Sequence, residues 1–295
     1  MKAKQIDRLL SRYRVMDGKK FGLKNHPSDD LDCGIIAPGD AEAALADGVA
    51  RLAAQQVKLY AESQWSLLAV FQGMDASGKD GTIRHVLTGV NPQGVQATSF
   101  KAPGPETLAH DFLWRIHAAV PQRGRIGIFN RSHYEDVLVT RVHPELLDKA
   151  GLPAEVRGKK FWQHRLEDIA AFERYLARQG VVILKFYLHL SKDEQKRRFL
   201  ARIDEAEKNW KFSTADLHER DFFDDYTDAF EKAIEATAAP HAPWYIVPAD
   251  HKWFAHLVVV EALVDALARL NLREPSLPPE EQARLREARV KLEAE

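Results

Sequence analysis

"AVFQGMDASGKDGTIRHV", residues 69–86, runs from an apolar segment through a glycine-bearing loop into apolar positions at helical spacing. The apolar segment begins earlier, at Trp65. "WSLLAVFQ" (65–72) is too short for a buried helix and is bounded by glycine, so it reads as a strand buried on both faces. Gly73, four intervening residues, Gly78 and Lys79 fill the first seven positions of G-x-x-x-x-G-K-[ST]. Each part has a physical task. Glycines let backbone N–H groups turn inward, the following helix offers its positive end, and a lysine neutralises bridging phosphate oxygens. A tight turn between strand and helix is the bland alternative, but the placement favours a phosphate cradle over Gly73, Gly78, Lys79, Asp80 and Gly81.

Two acids complicate that cradle. Asp80 stands where the pattern asks for Ser or Thr, the usual Mg²⁺ ligand, so that ligand has to come from elsewhere. Asp75 lies inside the loop, where an unpaired carboxylate would repel phosphate by on the order of several kcal/mol. A divalent cation between them turns repulsion into attraction, so Asp75 reads as a metal-directed carboxylate. Asp80 has two readings: an acid favoured by the helix dipole in the first turn, or a group acting on an acceptor phosphate through metal.

Around the loop the chain alternates. Strands are expected at 95–100, 125–130, 181–190 and 243–249, and helices at 105–119, 161–179, 192–203, 214–236 and 252–272. Such alternation implies parallel strands joined by right-handed crossovers: an α/β class, three-layer α/β/α fold. Asp40 is placed to cap a helix carrying Leu45, Val49, Leu52 and Leu59, and Ser191 with Glu194 has capping-box spacing. Residues 1–39, with Pro27, Gly34, Pro38 and Gly39, read as an arm wrapping a body that spans 40–273. Residues 200–225 read as a helical lid, and 274–295 as a charged tail.

The bulk numbers narrow the function classes. A formal net charge of −1, from 42 Lys+Arg against 43 Asp+Glu, gives no coat for nucleic acid or a membrane surface, so any anion site must be a local concentration of charge. The one cysteine, Cys33, excludes an internal disulfide and any cysteine-rich zinc site. "HLVVVEALVDALARL" (256–270) is interrupted by Glu261 and Asp265, and no other run approaches a membrane span. A cytoplasmic protein is the expectation.

"GMDASGKDG", "NPQGVQATSFKAP", "HDFLWRIH", "IFNRSHYEDVLVTRVH", "NWKF", "DLHERDFFDDY" and "APWYIVPADHKWF", in that order across about residues 30–272, resemble the polyphosphate kinase 2 family. The resemblance implies a P-loop kinase fold related to thymidylate kinase, with a mobile helical lid. It also implies phosphoryl transfer between inorganic polyphosphate and nucleotides with Mg²⁺, for which Mn²⁺ is the expected substitute. AMP, ADP and ATP are the implied nucleotides, because "NRSHYED" resembles the subgroup acting on nucleoside mono- and diphosphates. Assembly into homo-oligomers, dimers or tetramers, is implied as well.

The segment "RIGIFNRSHYEDVLVTRVH" (125–143) should face the same crevice as the glycine loop, because ligands in open parallel sheets bind at the carboxyl ends of strands. Arg131 has the donor fork for phosphate oxygens, with a structural ion pair as its alternative. Asn130 departs from the resemblance, since many family members carry there an aspartate that helps bind magnesium. The metal site is then expected to rest on Asp75 with water, aided by Asp80, Glu135 or Asp136. Segment 101–141 holds six cations against four acids, so a polyanion channel depends on spatial clustering. Lys101, Arg115, Arg131 and Arg141 are the phosphate-binding candidates, while Arg123 and Arg125 are as readily solvated loop residues. In the lid, Arg202 and Lys208 are candidates to cover the transferring phosphoryl, and Asn130 and Glu135 to meet nucleotide. Trp210 and Phe212 are expected to pack and pin the lid, with stacking on a base as the alternative. An acceptor phosphate is already ionised, so the expected catalysis by Asp75, Lys79 and Arg131 needs no strong general base. The competing readings are an ATP-dependent kinase of a small metabolite and a non-catalytic nucleotide-binding regulatory module; an N-K-x-D base-reading motif, expected of a guanine-nucleotide switch, is absent.

Overall fold

Ser66–Gln72 forms the strand that precedes the glycine loop, and all seven of its residues are buried, as a strand covered on both faces requires. The structure is a computed structural model describing residues 1–31, 36 and 38–295. Cys33 and Gly34 lie outside the described residues. In chain order the strands are β1 (Arg14–Val15), β2 (Ser66–Gln72), β3 (Val95–Ser99), β4 (Ile126–Asn130), β5 (Val181–His189) and β6 (Trp244–Pro248), ordered β1-β6-β5-β2-β4-β3 in one sheet. The β3-β4, β2-β4, β2-β5 and β5-β6 pairs are parallel. The glycine-loop strand therefore sits centrally, between β4 and β5.

Helices are α1 (Ala3–Tyr13), α2 (Ala41–Glu62), α3 (Lys79–Val86), α4 (Pro105–Leu108), α5 (Trp114–Ala118), α6 (Glu135–Val142), α7 (Phe161–Arg178), α8 (Lys192–Asp204), α9 (Thr214–Asp221), α10 (Phe223–Thr237), α11 (Lys252–Ala268) and α12 (Pro279–Glu293). Alternating strand residues feed two cores. Leu67, Ala69 and Phe71 of β2 pack with Leu52 and Leu59 of α2 and with the apolar side chains of α11. Leu68 and Val70 face the other layer, with Leu138 of α6, Ile169 of α7 and Ile234 of α10. This is the three-layer α/β/α arrangement, built by period-two alternation on a sheet covered on both sides.

Local departures have local causes. The helix expected over 105–119 is two short ones, because Asp111 Oδ1 accepts from the Leu113 N–H (2.9 Å) and competes with helical pairing between them. The helix expected over 214–236 breaks at Phe222, whose backbone leaves helical geometry (φ −93°, ψ 19°) while its ring meets His143. Asp40 stands before α2, but its side chain makes no capping bond. Ser191 Oγ does accept from Glu194 N (3.1 Å), but the Glu194 carboxylate turns to Arg197 and Arg198, so only half of the capping box forms.

The arm contributes to the body. Leu9, Leu10 and Tyr13 of α1 are buried in the α2/α11 core, and Arg14–Val15 adds an antiparallel edge strand against Trp244 and Tyr245. In α12 no residue is buried.

Candidate active site

Phe71 pairs with Asn130 in the sheet, so the loops after β2 and β4 leave side by side from the same edge. The β2 loop turns through left-handed conformations at Ala76 (φ 63°) and Gly78 (φ 97°). Only glycine adopts the second at no steric cost. At Gly73 a side chain would meet Ser77 Oγ at 2.7 Å, so this glycine is needed for close approach. Gly81 has open space around it and no comparable requirement.

Lys79, at the first position of α3, folds back over its own loop. Its Nζ donates to the carbonyls of Gly73 (2.6 Å) and Met74 (3.1 Å). Burial, with the charge of Arg131 adding, lowers its pKa to about 8. Arg131 stands opposite, itself left-handed (φ 62°), with its N–H donating to Phe71 O (3.0 Å). Its guanidinium donates to Asp75 Oδ1 (2.7 Å) through one arm and to Glu135 Oε2 (3.1 Å) through the other. Asn130 Nδ2 donates to Asp80 Oδ1 (2.5 Å). Asp75, Lys79, Asp80, Asn130, Arg131 and Glu135 thus form one constellation where two loops face each other.

Two residues of α8 hold the glycine loop from outside. Arg198 is buried and donates to the carbonyls of Ala76 (2.9 Å), Ser77 (3.1 Å) and Ala249 (2.5 Å), while its Nε donates to Glu194 (2.8 Å). Gln195 Nε2 donates to Asp75 O (3.0 Å), and its Oε1 accepts from Arg220 of α9 (2.7 Å).

A cavity of about 960 Å³ opens from this constellation. Among the described residues, twelve Lys and Arg side chains line it against four carboxylates, Asp75, Asp80, Glu135 and Asp136. Lys101, Arg115, Arg131, Arg202 and Lys208 line it, while Arg141, Arg123 and Arg125 do not appear on its wall. A second, smaller chamber of about 50 Å³ shares Asp75, Arg131 and Glu135 and is closed by Asp216, Glu219, Phe223 and Tyr226.

This is a glycine loop on a central parallel strand, opening into a cation-walled cavity large enough for extended anions. The sequence model described as Polyphosphate kinase 2 (PPK2) matches residues 37–275. The chain belongs to the polyphosphate kinase 2 family. It is 47% identical over 282 residues to an ADP-polyphosphate phosphotransferase of Rhodopseudomonas palustris, covering 95% of this chain and 97% of that one. It is 46% identical over 266 residues to an AMP/ADP-polyphosphate phosphotransferase of Meiothermus ruber, covering 90% and 96%. The crystal structure of Polyphosphate Kinase 2 from Arthrobacter aurescens TC1 superposes with a TM-score of 0.84 at 41% identity, covering 92% of this chain and 95% of that one.

In this polyphosphate kinase 2 the ring of cations is drawn from the whole chain. Arg84 from α3, Lys149, Arg165 from α7 and Lys252 from α11 join it, although each is an ordinary surface cation in the sequence. Arg198 falls with Glu194, Gln195 and Phe199 on the buried stripe of α8, where a guanidinium must find acceptors, but three of these four are polar, so only the fold shows the stripe. The lid residues are partly tethered. Arg202 donates to Asp216 and to Lys211 O (3.5 and 3.3 Å), and Lys208 pairs with Glu205. Phe212 packs edge-on against Phe199, whereas Trp210, expected to pack, is 78% exposed; its short 3-10 turn has no buried residue to hold it.

Among the described residues no group of three or more His, Cys, Asp or Glu side chains converges as a metal cage. Mg²⁺ does not require one, since it takes one or two carboxylates and completes its shell with phosphate oxygens and water. Asp75 and Glu135 meet that requirement: both are hard oxygen donors, both line the cavity, and both face one guanidinium. Asp136 is paired elsewhere, with Arg165 (3.5 Å) and Arg115 (3.9 Å), and burial raises its pKa despite them. Asp80 is taken by Asn130, an uncharged partner that leaves its charge intact. No helix is long and apolar enough to cross a membrane among the described residues.

Proposed function

We propose that the chain moves a terminal phosphoryl group from inorganic polyphosphate to ADP, and also to AMP, the reverse transfer from ATP using the same site. The observation that carries this reading is the cation-lined cavity closing onto the Asp75–Arg131–Glu135 cluster beside Lys79. A small-metabolite kinase needs no wall of that charge, and a binding module needs no carboxylates facing the phosphates.

The loop N–H groups and Lys79 bind donor phosphates. Lys79 exchanges the carbonyls of Gly73 and Met74 for phosphate oxygens. Arg131 supplies a fork to the transferring group, and its two carboxylate partners hold it across the crevice until phosphate arrives. Arg202 and Lys208 cover the phosphates from the lid, while Lys101 and Arg115 extend the binding surface. A divalent cation, Mg²⁺ with Mn²⁺ as substitute, would be held by Asp75 with Glu135 and would neutralise charge between the two polyanions. The acceptor oxygen is already ionised, so catalysis consists of alignment and charge compensation.

Incubation with a divalent cation, long-chain polyphosphate and either AMP or ADP, followed by product separation, tests donor and acceptor together. ADP from AMP and ATP from ADP are expected. Activity with ATP and a metabolite, but none with polyphosphate, would overturn the reading. We further propose a cytoplasmic homo-oligomer, dimer or tetramer, that binds no nucleic acid; light scattering checks the assembly state.

A further inference from the structure

The three residues after Arg131 are almost completely shielded: Ser132, His133 and Tyr134 are each no more than 1% exposed. All three are tied to the surrounding elements. Ser132 Oγ accepts from Gln72 Nε2 at the end of β2 (3.0 Å). His133 Nε2 faces Glu173 Oε1 of α7 (3.3 Å). The Tyr134 hydroxyl donates to the same Glu173 oxygen (2.8 Å), accepts from Lys185 Nζ of β5 (3.1 Å) and lies 2.8 Å from Thr237 Oγ1 of α10. Lys185 completes the knot, donating to Glu173 Oε2 (2.5 Å) and Thr237 O (2.8 Å).

Lys185 and Glu173 are 0% and 1% exposed, which makes them an unusual pair to keep. A buried ion pair is weak evidence for stability, because desolvation opposes the attraction and well-packed apolar side chains often serve as well. The cost needs another return. The pair does not face the substrate cavity, and three of its side-chain contacts are to His133 and Tyr134, two and three residues after Arg131. Arg131 itself holds a left-handed backbone (φ 62°), a conformation a non-glycine residue keeps only when its surroundings over-determine it. We propose that the Lys185–Glu173 pair is a positioning device that, through the Tyr134 hydroxyl and His133, fixes the turn presenting Arg131 to the transferring phosphoryl group. Lys185, Glu173 and Tyr134 act through Arg131, so this inference rests on the phosphate role assigned to Arg131 above.

The test replaces the pair by apolar residues, Lys185→Met with Glu173→Leu, and separately removes one oxygen by Tyr134→Phe. Turnover with polyphosphate and ADP is measured beside unfolding temperature. Expected in the pair variant is a kcat lower by about 10- to 100-fold, the scale of a misplaced catalytic group, with the ADP KM within about twofold and near-native unfolding. Tyr134→Phe should lower kcat in the native background and add little in the pair variant, because both act along one route. Native kcat in a folded pair variant, or fully additive losses, would overturn the proposal. Should the pair variant fail to fold, Tyr134→Phe decides alone: lower kcat at unchanged KM and unfolding temperature supports the device, and native kcat overturns it. Arg131→Ala separates the two levels. Activity retained there removes the assignment of Arg131 and this inference with it, whereas activity lost there but intact in the network variants removes only the positioning role.

Discussion

Arg131 Nη2 lies 2.7 Å from Asp75 Oδ1, so the acid within the glycine loop is compensated by the cation of the facing loop before any phosphate is present. The carboxylate that looked hostile to anions is half of an ion pair. On the proposed reading, phosphate entering the crevice would compete for Arg131 and leave Asp75 to a divalent cation, coupling the occupancy of the two.

Asp75→Asn should therefore lower activity by more than about 10-fold and move the magnesium optimum to higher concentration, because the amide keeps the shape and loses the charge. A magnesium titration of initial rate measures both. An unaltered magnesium dependence in the variant would refute the metal role of Asp75.

Asn130→Asp probes the neighbouring pair. In the native chain Asn130 Nδ2 donates to Asp80 Oδ1 at 2.5 Å, and the variant sets two carboxylates against each other. Without divalent cations the unfolding temperature should fall by roughly 2–4 °C, the scale of ~1 kcal/mol in a chain of this size. Magnesium should restore it more in the variant than in the native protein. Identical melting in chelator and in magnesium would exclude a cation between these positions.

Much of this was legible in the residues. The expected strands end within a residue or two of the observed ones; for β2, β4, β5 and β6 this is because buried apolar runs flanked by turn residues leave little alternative. The arm was harder. Two residues, Arg14 and Val15, carry no period, and their strand exists only because Trp244 and Tyr245 offer an edge. Within the site, Gly73, Gly78, Lys79, Asp75 and Arg131 came from local pattern and family resemblance. Lys149, Arg165 and Lys252 meet only through the fold, as does the pairing of Asn130 with Asp80, so local pattern could not have selected them.

Lys79 gives a pH prediction. Burial, reinforced by Arg131, lowers it from 10.5 to about 8. Below about 8 the lysine is charged in folded and unfolded chains alike, and the cost of burying that charge is fully present. Between about 8 and 10.5 the unfolded chain holds more protons, so this group's contribution makes the fold more stable as pH rises. Phosphate affinity runs the opposite way, since the charged fraction of Lys79 falls through the same window. KM for polyphosphate should rise above about pH 8, and Lys79→Arg, which stays charged, should flatten that rise. A KM that ignores pH from 7 to about 9.5 in the native enzyme would contradict the placement of Lys79 on phosphate.

Arg198 is the clasp of the loop, and its loss should be felt in both stability and binding. One guanidinium holds the carbonyls of Ala76 and Ser77 against Ala249 just after β6, two strands away from β2, with Glu194 fixing its Nε. It is 8% exposed, so water does not readily replace it. Arg198→Met strands those carbonyls and leaves Glu194 to Arg197 alone, a loss of about 3 kcal/mol from buried acceptors left without a donor. Arg198→Lys keeps the charge but offers a single donor centre in place of a planar fork, so it should fall between the two. Because Ala76 and Ser77 lie in the loop that would cradle phosphate, KM for polyphosphate should increase in the same order, native below Lys below Met. Chemical denaturation and steady-state kinetics on the three proteins check this together. Reduced stability with an unchanged KM would make Arg198 a purely structural residue, and native behaviour in both would leave the loop held by its glycines and Gln195 alone.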